Sequence, residues 1–129
     1  MRERILVADD NAPIRWLIRS LLEEKGYAVC GEAENGTEAI EKAQKLKPDL
    51  ICLDLSMPGM NGVEVASVLK RLMPTIPIVM FTLYENRVGE ALAQSVGIDI
   101  VLGKENGTKL TESIAELLSR KDADRHETQ

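Results

Sequence analysis

Histidine occurs once in these 129 residues, as His126, and aromatic residues make up only 3% of the chain. The lone imidazole lies in a polar closing stretch, which excludes a Ser-His-Asp hydrolase triad or a histidine-built metal centre. With so few aromatics, the core falls to Leu, Ile, Val, Ala and Met, a composition that suits an α/β domain better than a β-sandwich or barrel. The two cysteines, Cys30 and Cys52, lack metal-ligand spacing and sit in apolar runs. They read as free core thiols in a reducing compartment. No apolar run approaches the ~20 residues of a membrane span. Basic residues at the start precede a short apolar run that ends in acids at Asp9 and Asp10, too soon for a secretion signal. A cytoplasmic location is expected. Basic residues number 16 against 21 acids, a formal net charge of −5 that argues against direct nucleic-acid binding. The length suits one domain with a single core.

What is present is a regular alternation of short apolar runs and amphipathic ones. Ile5 to Ala8 reads as a strand. Pro13 to Glu24 then carries Ile14, Leu17, Ile18, Leu21 and Leu22, the spacing of a helix with one buried stripe. Pro13 near its start and Gly26 past its end are suitable punctuation. Tyr27 to Cys30 is a second strand. Asn35 with Glu38 and Asn61 with Glu64 resemble capping boxes, opening helices that end near Leu46 and Met73. Leu50 to Leu55 and Ile78 to Phe81 are the third and fourth strands. Glu85 to Val96 reads as a less regular helix containing Gly89, and Ile98 to Leu102 as the last strand. Leu110, Ile114, Leu117 and Leu118 mark a final helix ending near Arg120. Residues 1–121 form the domain; 122–129 read as a polar tail or the start of a linker.

Strands alternating with helices on short connections form a parallel sheet covered on both faces, and right-handed crossovers make it doubly wound. Ligands of such sheets bind at the carboxyl ends of the strands. Those ends carry Asp9 and Asp10, Asp54, Thr82 and Lys104. Each has a bland alternative: Asp10 could begin a helix, Thr82 could cap one, Lys104 could be solvated. Together they are compatible parts of one chemistry. Clustered carboxylates raise one another's pKa unless a cation neutralises them. An all-oxygen donor set favours a hard cation, Mg²⁺ where phosphate is handled. Asp54 could then attack phosphorus, with Thr82 and Lys104 contacting the equatorial oxygens.

On the stretches ILVADDNAPIR, DLICLDLSMPGMNG, IVMFT and VLGK, residues 3–120 resemble a response-regulator receiver domain of a two-component system. The resemblance implies a flavodoxin-like doubly wound (βα)5 fold with strand order 2-1-3-4-5. It also implies that Asp54 is the phosphoacceptor, taking a phosphoryl group from the phosphohistidine of a sensor histidine kinase or phosphotransfer protein. Asp10 and Asp54 would bind Mg²⁺ directly and Asp9 mostly through water, with the main-chain carbonyl of Ser56 as a further ligand. Thr82 and Lys104 would hold the phosphoryl oxygens, and Pro58 and Gly62 would shape the loop. That strand order separates Cys30 from Cys52 by roughly 9–10 Å, too far for a disulfide.

The chain departs from the family pattern at Val101, where receivers commonly carry the aromatic of a Thr–aromatic switch. Coupling is then expected to be weaker, or to run through Tyr84 or the loop after the fourth strand. Glu105, where many receivers have proline, resembles receivers joined to a LuxR-type helix-turn-helix domain, so an output domain outside this chain is expected. The competing form is a single-domain receiver. Ser56 and Tyr84 flank the path of attacking water and are expected to tune the phosphoryl lifetime. Trp16, roughly 200° around the helix from Ile14, is a candidate kinase contact. The face around Glu90, Gln94, Lys109 and Glu112 is a candidate dimer or output surface. Two alternatives remain: a pseudo-receiver acting by binding alone, and an aspartyl-nucleophile phosphatase. The second lacks its general acid, since Ser56 stands where that acid belongs.

Overall fold

The computed structural model describes residues 2–127, with side chains described for residues 2–122. The elements run β1 (Arg4–Ala8), α1 (Ala12–Glu24), β2 (Ala28–Ala33), α2 (Gly36–Leu46), β3 (Leu50–Leu53) and α3 (Gly62–Leu72). They continue with β4 (Ile78–Thr82), a 3-10 turn (Glu85–Arg87), α4 (Glu90–Val96), β5 (Ile100–Gly103) and α5 (Gly107–Glu127). The five strands form one parallel sheet in the order β2-β1-β3-β4-β5, as expected.

Side chains alternate across a strand, and here the alternation builds two cores. Leu6, Ala8, Ile51, Leu53, Ile78 and Met80 pack on one face with Ala39 and Ala43 of α2, and Val65 and Leu69 of α3. Ile5, Val7, Leu50, Cys52, Val79 and Phe81 face Ile18 and Leu22 of α1, and Leu110 and Ile114 of α5. Each fully buried Leu or Ile contributes about 2 kcal/mol relative to exposure. The α1 stripe is narrower than the sequence suggests: Leu17 is exposed, while Ile18 and Leu22 are buried.

Capping fixes where α1, α2 and α3 begin. The side chains of Asn11, Asn35 and Asn61 accept from Ile14, Glu38 and Glu64 backbone N–H groups respectively. Only Asn61 and Glu64 complete a reciprocal capping box. Several boundaries differ from the sequence reading: β2 runs on to Ala33 rather than ending at Cys30, and β5 begins at Ile100 rather than Ile98. The Glu85–Val96 segment splits, because Gly89 takes extended backbone and becomes the N-cap of α4. β3 stops at Leu53, and Asp54 lies just past it. α5 continues past Arg120 to Glu127, aided by the i,i+4 pair of Arg120 with Glu116 and by Lys121 Nζ donating to the Asp49 carbonyl at 3.2 Å. Most of the polar stretch expected from residue 122, His126 included, lies outside the described side chains.

The sheet ladder runs one rung beyond the strands at their carboxyl ends. Asp9 N donates to the Ala33 carbonyl at 2.9 Å, Asp54 N to that of Ala8 at 2.9 Å, and Lys104 N to that of Thr82 at 3.0 Å.

Candidate functional site

These rungs bring the acids and the lysine together. Asp9, Asp10 and Asp54 each offer a carboxylate oxygen, all within 4.8 Å of one another. Asp9 is fully buried and Asp54 nearly so, while Asp10 is exposed. Lys104 Nζ sits 2.7 Å from Asp9 Oδ2 and 3.2 Å from Asp54 Oδ2. The contact to Asp54 has hydrogen-bonding angles; the closer one to Asp9 is ionic. Asp9 Oδ1 accepts from Asn11 N at 2.9 Å. Asp54 Oδ1 is buried without a hydrogen-bond partner.

The electrostatics follow from this geometry. Burial pushes the Asp9 carboxyl above its ordinary range, and Asp54 pushes it the same way, against the Lys104 ammonium and the Asn11 N–H. For Lys104, burial acts to lower the ammonium's pKa, but the two carboxylates outweigh it and hold it above its usual value. Three acids against one lysine leave an excess of negative charge at a mostly dry site. An unpartnered carboxylate oxygen in that setting costs free energy unless something cationic meets it. The donor set is oxygen alone, which fits a hard cation such as Mg²⁺.

Thr82 closes β4, is fully buried, and its Oγ1 accepts from Tyr84 N at 3.2 Å. The hydroxyl proton remains available to another acceptor. Ser56, Pro58 and Gly59 are exposed on the β3–α3 loop, with Met57 tucked inward. Gly59 holds φ +80, which favours glycine. Gly62 is compelled by space instead: a Cβ there would lie 2.3 Å from the Asp54 carbonyl oxygen and 2.9 Å from Leu55 Cα.

Ser56, Asn61, Tyr84 and Arg87 share the lining of one cleft, and the Arg87 guanidinium stacks 4.7 Å from the Tyr84 ring centroid. Val101 lies on β5, half-buried and packed on the core, beside a cleft that Glu85, Val88 and Ala93 also line. Trp16 is exposed, as its position off the stripe requires. Glu90, Gln94, Lys109 and Glu112 are exposed as well. Cys30 and Cys52 are free thiols on strands that β1 separates. Sequence reasoning missed Arg15, which reaches from α1 to the Asp9 backbone. Its hydrophobic spacing gave no signal for that.

The chain resembles known proteins in sequence and fold. The sequence profile of the response regulator receiver domain matches residues 5–115. Chemotaxis protein CheY of Thermotoga maritima is 39% identical over 80 residues, 62% of this chain and 67% of that protein. DNA-binding response regulator MtrA of Mycobacterium tuberculosis is 41% identical over 109 residues; the match takes in 83% of this chain but only 42% of that protein. The structure of response regulator TrrA from T. maritima, in complex with Mg(2+)-BeF, superposes with TM-score 0.83 at 35% identity, covering 91% of this chain and 99% of that one. Among the described residues, no helix is long and apolar enough to cross a membrane. With profile, relatives and strand order in agreement, this chain belongs to the response regulator receiver domains, the signalling modules of two-component systems.

Proposed function

We propose that Asp54 is the phosphoacceptor of a Mg²⁺-dependent switch, loaded from the phosphohistidine of a sensor kinase or phosphotransfer protein. The observation that carries this reading is Asp54 Oδ1, a buried carboxylate oxygen without a partner among two further acids and a lysine. That oxygen attacks phosphorus, the P–N bond breaks, and its electron pair stays on the imidazole nitrogen, leaving an acyl phosphate. The Asp9, Asp10 and Asp54 carboxylates and the Ser56 carbonyl would hold Mg²⁺. When bound, it neutralises phosphoryl charge and polarises phosphorus. Lys104, already between Asp9 and Asp54, moves its ammonium to a phosphoryl oxygen. The Thr82 hydroxyl donates to another.

Output follows from what Thr82 is tied to. Moving its hydroxyl toward phosphate breaks the bond from Tyr84 N and frees the exposed Leu83–Arg87 segment. With Val101 in place of an aromatic, this segment and Tyr84 carry the coupling. The exposed face of Glu90, Gln94, Lys109 and Glu112 offers the output or dimer surface. MtrA is described as a DNA-binding response regulator and is more than twice the length matched here. By that analogy we assign the chain to the cytoplasmic receiver part of a transcription regulator, with α5, which runs on to Glu127, leading toward an output domain. Ser56 and Tyr84 set the phosphoryl lifetime from the cleft they share.

The test is intact mass after incubation with phosphoramidate, with and without Mg²⁺, on the parent and on Asp54→Asn. A Mg²⁺-dependent gain of one phosphoryl group, absent from the variant, is the expected result. No gain in the parent would refute the switch and leave a domain that acts by binding alone.

A further inference from the structure

Arg15 contacts the acid pocket through the main chain rather than through a carboxylate. Its side chain is 16% exposed. Nη1 donates to the Asp9 carbonyl at 2.7 Å, and Nε donates to Glu32 Oε1 on β2 at 3.0 Å. The other Glu32 oxygen accepts from Arg19 Nε at 3.0 Å. The Glu32 main-chain carbonyl in turn accepts from Lys42 Nζ. A strand-borne carboxylate therefore orients one guanidinium, and that guanidinium holds one peptide carbonyl.

The Asp9 carbonyl shares a rigid plane with the nitrogen and Cα of Asp10. Asp10 is the exposed acid of the three, at the turn where β1 gives way to α1. Fixing that plane fixes the Asp10 N–Cα bond, the axis about which its side chain is set. We infer that Arg15 is a positioning residue for cation binding, holding the Asp9–Asp10 peptide so that the Asp10 carboxylate meets those of Asp9 and Asp54. This rests on the reading that the three acids hold Mg²⁺. Outer contacts of this kind typically change metal affinity 10–100-fold when removed.

Charge alone predicts the opposite sign. Deleting a cation near three carboxylates tightens a dication, so weaker binding can only come from lost positioning. Arg19 supplies the control: it pairs with the same Glu32 and carries the same charge, but no hydrogen bond joins it to Asp9.

The experiment is Mg²⁺ titration of the full chain by calorimetry, with melting curves to verify folding, on the parent, Arg15→Ala, Arg15→Lys and Arg19→Ala. Arg15→Ala is expected to weaken Mg²⁺ at least tenfold, and Arg19→Ala to stay within twofold of the parent or bind slightly tighter. Arg15→Lys retains one contact of the fork and is expected in between, which carries the test should the alanine variant not fold. Arg15 variants binding as the parent does, or an equal loss in Arg19→Ala, would overturn the assignment while leaving the Mg²⁺ reading intact. A parent that takes up no Mg²⁺ would overturn both.

Discussion

Replacing Lys104 by Met removes the one ammonium between two buried carboxylates while keeping most of the apolar stem. Charges about 3 Å apart attract by roughly 5–6 kcal/mol at an effective dielectric of about 20. The Lys104 side chain is 8% exposed, that of Asp9 0% and that of Asp54 5%, so solvent screens little of this. Part is returned because the variant no longer desolvates an ammonium. The expected net loss is about 3–5 kcal/mol in Mg²⁺-free buffer at neutral pH, the range for breaking a buried pair. Urea unfolding in EDTA reads it directly. Two signs accompany the magnitude. The Asp9 carboxyl, already raised by burial, rises further without the lysine, so protonation favours the folded variant. Its deficit therefore shrinks as pH falls through the raised folded pKa toward the ordinary carboxylate value of about 3.9. Saturating Mg²⁺ should also restore more stability to the variant than it adds to the parent. A loss below about 1 kcal/mol, typical of a solvated surface pair, would refute the picture of a dry, lysine-held pocket.

Gly62→Ala should cost about 3 kcal/mol in urea melts, because the added methyl meets the Asp54 carbonyl and Met80. Gly59→Ala, with open space but φ +80, should cost only about 1 kcal/mol. Asn61→Ala removes the side-chain acceptor of the α3 capping box but keeps the backbone N–H that donates to Glu64, and should lose about 1 kcal/mol by the same assay. Burial pushes the buried Cys52 thiol up to about 12 and also raises that of the partly buried Cys30. A thiol reagent at pH 8 should therefore label Cys30 slowly from the native state and Cys52 only at the rate of global unfolding.

The legible parts of this fold are those whose signal is local. The apolar runs located all five strands, and the Asn-x-x-Glu patterns placed the starts of α2 and α3. Asp9, Asp10, Asp54, Thr82 and Lys104 were readable as a set because a parallel sheet collects its carboxyl ends along one edge. Gly89 was misleading, since a glycine inside a helical pattern and a glycine starting a helix look alike until the backbone chooses. The far end of α5 was missed because Lys, Ala, Arg and Glu sustain a helix without an apolar stripe in the sequence to announce it. Arg15 was illegible for a different reason. Its partner Glu32 is seventeen residues away, and its target is a carbonyl, which every residue has.

The ladder rungs that hold Asp9, Asp54 and Lys104 make the pocket a vice with one jaw welded to the frame. Charge added at Asp54 cannot push those three backbones apart without tearing the sheet. Among the described residues, the side-chain hydrogen bond that joins the pocket to the mostly exposed Leu83–Arg87 segment is that of the Thr82 hydroxyl, and so this segment forms the freer jaw. Strain entering the site therefore has a preferred exit. Residues on that side other than Tyr84, rather than those around β1, are where substitutions would alter what the molecule transmits without altering what it receives.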